Sequence, residues 1–126
     1  MEQNKKEKVP VFIVGYDSVK DYRQFKIAVL KSVNLNRVSL VYYIGKEEFN
    51  TQMENFCKEF GVDCEKINIL PAKMSNEQTE KLSTVKALVV FDNGEDKRIK
   101  KYESFVKKLP VYTSIWKTKN GNLLLK

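Results

Sequence analysis

An open parallel α/β sheet with helices on both faces is the fold class this sequence predicts, and three observations predict it. Two apolar runs, Val9–Val14 and Val85–Phe91, lack the alternation of a half-exposed strand, interrupted only by Pro10 and Lys86. Such runs suit strands covered on both sides. Stripes of apolar residues at three- and four-residue steps separate the strand-like runs, as amphipathic helices do. Several runs also close on glycine or Asx residues: Gly15, Gly45 and Asp92-Asn93-Gly94. Alternation of this kind specifies a Rossmann-like sheet of about five strands. The expected order is 3-2-1-4-5, with the switch point between the first and fourth strands.

The elements follow in order. Residues 1–8 are charged and read as a solvated arm; residues 9–126 form one domain. The first strand, Val9–Gly15, leads to Asp17 or Ser18 as a helix cap. Tyr22, Phe25, Ala28, Val29 and Val33 then mark a helix over about Lys20–Val33. Arg37–Gly45 is the second strand. Phe49, Met53, Phe56, Cys57 and Phe60 mark a helix over Glu47–Phe60, stopped by Gly61. Val62–Leu70, ended by Pro71, reads as an edge strand. A short helix is expected over Asn76–Leu82, then the fourth strand, Val85–Phe91. Ile99, Tyr102, Phe105, Val106 and Leu109 predict a further helix. Val111–Trp116 is the fifth strand, and Lys119-Asn120-Gly121-Asn122 is a hairpin signal. Leu123-Leu124-Leu125 would then return antiparallel.

Composition narrows the chemistry. The 126 residues contain no histidine, which removes Ser-His-Asp and Cys-His catalysis and leaves a zinc site without its usual ligands. Cys57 and Cys64 are the only cysteines and are read as reduced thiols, one in a core face and one in or beside a strand. No nucleophile–base pair can be named, so an enzyme is the last of the readings; no cofactor is expected. The net charge is +7, and Arg23, Arg37 and Arg98 are the only arginines among 23 basic residues. Lysine as a point charge serves solubility and loose phosphate attraction more than bidentate recognition. No apolar run approaches a membrane span, and a cytoplasmic protein is expected.

Between Val9 and Trp116 the chain resembles the SLOG superfamily, Rossmann-like proteins that bind nucleotides and their derivatives, and within it the small phage and bacterial branch. Val11–Gly15 followed by Asp21-Tyr22 is similar to that branch's first strand and helix start. Tyr43-Ile44-Gly45, the helix Thr51–Phe60 and Gly61-Val62 are similar to its second unit. Lys86–Gly94 resembles its fourth strand and glycine, and Leu109–Tyr112 its entry to the fifth. The departures fall on the loops. Gly15-Tyr16-Asp17 stands where the family has Gly-Ser-Arg. Gly45-Lys46-Glu47-Glu48-Phe49-Asn50 stands where it has glycines, small residues and an aspartate. Ser75 replaces the arginine of an Arg-Asn pair completed by Asn76. Gly94-Glu95-Asp96 replaces a Gly-Thr turn.

The resemblance implies a non-catalytic module that captures a nucleotide-like small molecule at the carboxyl ends of strands one and four. Its candidate residues are Gly15, Tyr16, Asp17, Gly45, Lys46, Asn50, Asp92, Asn93 and Gly94. In it Tyr16 stacks on a base, Asp17 or Asp92 accepts ribose hydroxyls, and Lys46 meets a phosphate. The alternative is a degenerate scaffold used for protein contact, with a dimer or partner surface on the Trp- and Leu-containing region from Ile115 to Leu125. A third reading places nucleic acid, without sequence preference, on Lys97, Arg98, Lys100 and Lys101. The same strand-end residues also suit plain turns.

Overall fold

A computed structural model of the chain describes residues 8–15, 19–67, 80, 83–94, 112–119 and 122–123. Six strands form one sheet in the order β3-β2-β1-β4-β5-β6: β1 (Val9–Gly15), β2 (Val38–Ile44), β3 (Cys64–Lys66), β4 (Ala87–Asp92), β5 (Tyr112–Lys119) and β6 (Asn122–Leu123). The first five are parallel, and β6 turns back antiparallel onto β5 through Thr118↔Leu123 and Lys119↔Asn122. The expected 3-2-1-4-5 order holds, with the two most apolar runs adjacent at its centre: Ile13 lies opposite Val89 and Gly15 opposite Phe91.

Both faces of the central strands are dry. On one face Val11, Ile13, Val41, Tyr43, Val89 and Phe91 meet α1 (Tyr22–Ser32) and α2 (Glu47–Phe60). On the other, Phe12, Val14, Leu88 and Val90 are buried with Tyr42, Ile67 and Val85. Period-two alternation on strands buried on both sides puts apolar residues at every position, which is why β1 and β4 read as continuous runs. Of the helix expected at Asn76–Leu82 only Glu80 is among the described residues, and it is helical; the helix expected across Ile99–Leu109 lies outside them, as do residues 1–7 of the arm.

Several boundaries differ from expectation. Helix α1 starts at Tyr22, and its cap is Asp21, whose carboxylate accepts the Arg23 backbone N–H at 2.9 Å, in place of Asp17 or Ser18. A 3-10 turn, Leu35–Arg37, takes the first residue assigned to the second strand; Asn34 caps it through its side chain. Among the described residues the third strand pairs over Cys64–Lys66, and Asn68–Leu70 of the expected run lie outside them. The fifth runs on to Lys119, because β6 supplies a partner for its end. Helix α2 keeps its expected bounds, and Gly61 closes it with φ 67°, a left-handed conformation that glycine adopts without a steric penalty.

Trp116 belongs to this domain's interior side. It packs partly buried against the α1/α2 face together with Leu123, and its indole N–H donates to Ser32 Oγ at 2.8 Å. Ser32 Oγ in turn donates to the Ala28 carbonyl at 2.8 Å. Tyr112 and Ile115 are the apolar residues of β5 left in solvent, Tyr112 at 85% exposure.

Candidate functional site

The rim of interest is the carboxyl end of β1, β2 and β4, where ligands of open α/β sheets collect. Gly15 ends β1, Gly45 follows β2, and Asp92 ends β4, so the topology brings the three expected loops to one edge. Two turns of chain decide what lies over them. The first is the start of α2. Its third residue, Phe49, is fully buried, and its ring occupies the space a side chain on either glycine would need. A Cβ on Gly15 would stand 2.6 Å from Phe49 Cδ1 and Cζ, and closer to Cε1. A Cβ on Gly45 would stand 2.5 Å from Phe49 Cδ2 and 2.6 Å from the Gly15 carbonyl oxygen. Such approaches are closer than a real Cβ tolerates, so Gly15 is restricted to glycine by the phenyl ring and Gly45 by the ring together with the Gly15 carbonyl.

That ring is one of three. Phe49 meets Phe25 edge-on with centroids 6.0 Å apart, and Phe91 at 5.9 Å; Phe25 and Phe91 are 5.2 Å apart. These are ordinary aromatic separations. They tie α1, α2 and β4 together directly beneath the rim. The α1/α2 side of the switch point is therefore solid hydrocarbon.

The second turn follows β4. Asp92 is buried, with both carboxylate oxygens engaged: Oδ1 accepts the Gly94 backbone N–H at 2.7 Å, and Oδ2 faces Lys117 Nζ at 3.5 Å. Gly94 has φ 80° with open space where a Cβ would stand. Its need for glycine is conformational, unlike that of Gly15. Asn93 is half-buried and also engaged.

Asn50 lies next to Phe49 on α2. Its amide nitrogen donates to the Gly45 carbonyl at 3.1 Å, closing the β2–α2 turn. Its Oδ1 is buried and accepts no hydrogen bond. Lys46 is the exposed N-cap residue of α2 and makes no side-chain cap bond. Glu47 and Glu48 fill the first turn of that helix, where their charges answer the positive end of the macrodipole and repel a phosphate. Tyr16 and Asp17 lie outside the described residues, as do Lys97, Arg98, Lys100 and Lys101. Among the described residues no three His, Cys, Asp or Glu side chains converge as metal ligands, and no helix is long and apolar enough to cross a membrane.

No family model, curated protein or solved structure matches this chain. What stands is the geometry, which is that of a Rossmann-like α/β scaffold.

Two residues at the rim carry more than their sequence context conveys. Phe49 belongs to an apolar stripe, which reads as core; that its ring reaches the strand-end glycines follows only from where α2 starts. Gln52 lies on the same stripe, between Phe49 and Met53. Its side chain accepts the Val19 backbone N–H at 2.9 Å and donates to the Val19 carbonyl at 2.8 Å. It so pins the end of the β1–α1 connection to α2. A polar residue amid an apolar helical face was the available signal.

The Cys57 thiol belongs to the core. Cys57 is buried and Cys64 partly so. Burial, then the neighbouring Cys64, push the Cys57 thiol up to about 12, so at neutral pH it is not a nucleophile. Burial and the hydrogen bond to Glu54 likewise hold the Tyr43 phenol protonated.

Proposed function

We propose that this chain is a non-catalytic interaction module built on a degenerate SLOG-like scaffold, acting through protein contact. One observation carries the reading: the Phe49 ring takes the space where side chains on Gly15 and Gly45 would stand, so the missing Cβ at each serves core packing, leaving the close backbone approach of a nucleotide without its own reason for glycine. The resemblance makes sense of it, since Phe49 falls in the loop where that family has glycines and small residues. The engaged carboxylate of Asp92 and the acids at the start of α2 act in the same direction. Among the described residues, the apolar side chains left in solvent include Tyr112, Ile115, Ile27 and Leu30, on β5 and α1.

A thermal-shift screen of mono- and dinucleotides against the full chain tests this. A ligand that binds only the native state raises the melting temperature. No shift at millimolar nucleotide is the expected result, with self-association or partner binding weakened by Tyr112→Ser and Ile115→Ser. A nucleotide-induced rise in melting temperature overturns it.

A second reading keeps the nucleotide-like ligand at the rim, beside the β2–α2 turn that Asn50 closes. The buried, unpaired Oδ1 of Asn50 favours it, because such an acceptor is costly without a donor, and a ribose hydroxyl or base amine would supply one. In the same screen this reading requires a shift that Asn50→Leu removes.

A further inference from the structure

The opposite end of the sheet is built differently. Helix α1 has 11 residues and β1 has 7. At the usual rises the helix is roughly 16 Å long and the strand roughly 23 Å. The strands therefore outrun the helix at their amino ends, leaving a groove of about 420 Å³ beneath the last turn of α1. Its floor crosses the sheet through Val38, Val9 and Ala87, with Val33 from above. This is within the range of small-molecule sites.

The groove is apolar below and cationic at its edges. Arg37, just before β2, and Lys86, just before β4, line it on either side of β1. Both are exposed. Among the described residues neither side chain pairs with a carboxylate, and no acid lines the groove. The end of α1 would add partial negative charge here, but two of its last carbonyls are taken: Ala28 O by Ser32 Oγ and Val29 O by the Val33 N–H. Two full positive charges outweigh what remains. Tyr112, at the β5 end, offers a hydroxyl and a ring face.

We infer that this groove binds a small apolar organic acid, an arylalkyl or medium-chain acyl carboxylate, with its hydrocarbon on Val9, Val38 and Ala87 and its carboxylate between Arg37 and Lys86. Arginine supplies the bidentate geometry a carboxylate prefers, and lysine a second point charge. The inference is independent of what occupies the carboxyl rim.

The test is a titration of the full chain with 4-phenylbutyrate, followed by amide chemical shifts and calorimetry. Saturable binding in the millimolar range or tighter is expected, with shifts concentrated at Val9, Val38, Ala87 and Tyr112. The alcohol 4-phenylbutanol and the amine 4-phenylbutylamine should bind at least about tenfold more weakly, as should acetate, which lacks the apolar body. Arg37→Gln with Lys86→Gln should reduce phenylbutyrate affinity by about tenfold or more at an unchanged melting temperature. Equal binding of the alcohol, an unaffected double variant, or shifts clustered elsewhere in the wild-type protein would each overturn the assignment.

Discussion

The two ends of one sheet have been finished in opposite ways. At the carboxyl end the glycines that invite a ligand are covered by the protein's own aromatic ring. At the amino end, which carries no glycine or motif, the floor is left open because a short helix fails to reach it. The difference teaches that a strand-end glycine reports close approach by something, without saying what. At Gly15 and Gly45 that something is Phe49. An open groove, by contrast, depends on the relative lengths of helix and strand, and a length mismatch leaves no residue signature.

The largest effect tests what the ends share. Val89 is fully buried at the centre of the sheet, opposite Ile13. Val89→Asp places an unpaired charge there, at a cost of several kcal/mol, comparable to the whole stability of a small domain. The expected result is loss of the cooperative thermal transition. A soluble variant that still melts cooperatively would contradict the two-sided burial on which both ends rest.

Next comes the ring itself. Phe49→Ala should cost about 3–5 kcal/mol in urea titrations, since the ring is buried against two strands and two other rings. Gly15→Ala should cost about 1–3 kcal/mol by overpacking, although its backbone is an ordinary strand. The comparison sharpens in the double variant: with the ring gone, the added methyl has room, so the two penalties must sum to more than the measured loss. Strict additivity would show that Phe49 does not seat on Gly15. Nucleotide affinity gained in Phe49→Ala, where the wild type has none, would show that the plug alone separates the scaffold from a binding site.

Gly94→Ala is smaller, and it separates two kinds of glycine. With φ 80° and nothing near its absent Cβ, the cost is purely conformational, about 1–2 kcal/mol. Phe49→Ala should leave that penalty unchanged. A rescue like that of Gly15 would mean the turn after β4 also leans on the ring.

These contrasts mark what the sequence made legible. The strand order was readable because burial on both faces leaves Val11–Val14 and Leu88–Phe91 with no polar position, and only central parallel strands need that. The bounds of α2 were readable because its stripe and Gly61 agree. The cap of α1 was misplaced because Asp17, Ser18 and Asp21 all offer a capping oxygen, and only the helix's packing against Phe49 and Phe91 selects among them. At the rim, the residue types were identified but not their use: Asp92 binding its own turn and Lys117, or binding a ribose, gives the same sequence. The groove at the amino end was invisible, since Arg37 and Lys86 are 49 positions apart in the chain and look like two more solvated cations in a basic protein.

The smallest effect lies on the outside of the helix pair that holds the plug. Glu59 of α2 accepts from the Tyr22 hydroxyl at 2.9 Å and from Lys26 Nζ at 3.2 Å, both on α1. The hydrogen bond from Tyr22, then that from Lys26, hold the Glu59 carboxyl below its ordinary value of 4.5. A depressed carboxyl pKa contributes stability above the unfolded value and loses it as pH falls through the folded one. Tyr22 is pushed up from 10.0 to about 12 by burial first and by Glu59 second; that contribution is present below 10.0 and disappears as pH rises toward about 12. Tyr22→Phe removes the hydroxyl but keeps the ring that Lys26 covers at 4.8 Å. Its melting temperature should fall slightly below the wild type's at neutral pH, and exposure to solvent keeps the gap small. Lowering the pH below the Glu59 titration should shrink that gap, because a protonated Glu59 no longer holds the phenol as a charged acceptor, and so should raising it past 10.0. Global titration of the many lysines moves both proteins alike and drops out of the difference. A gap that stays constant from acid to alkaline pH would show that the contact between α1 and α2 is carried by the buried rings alone.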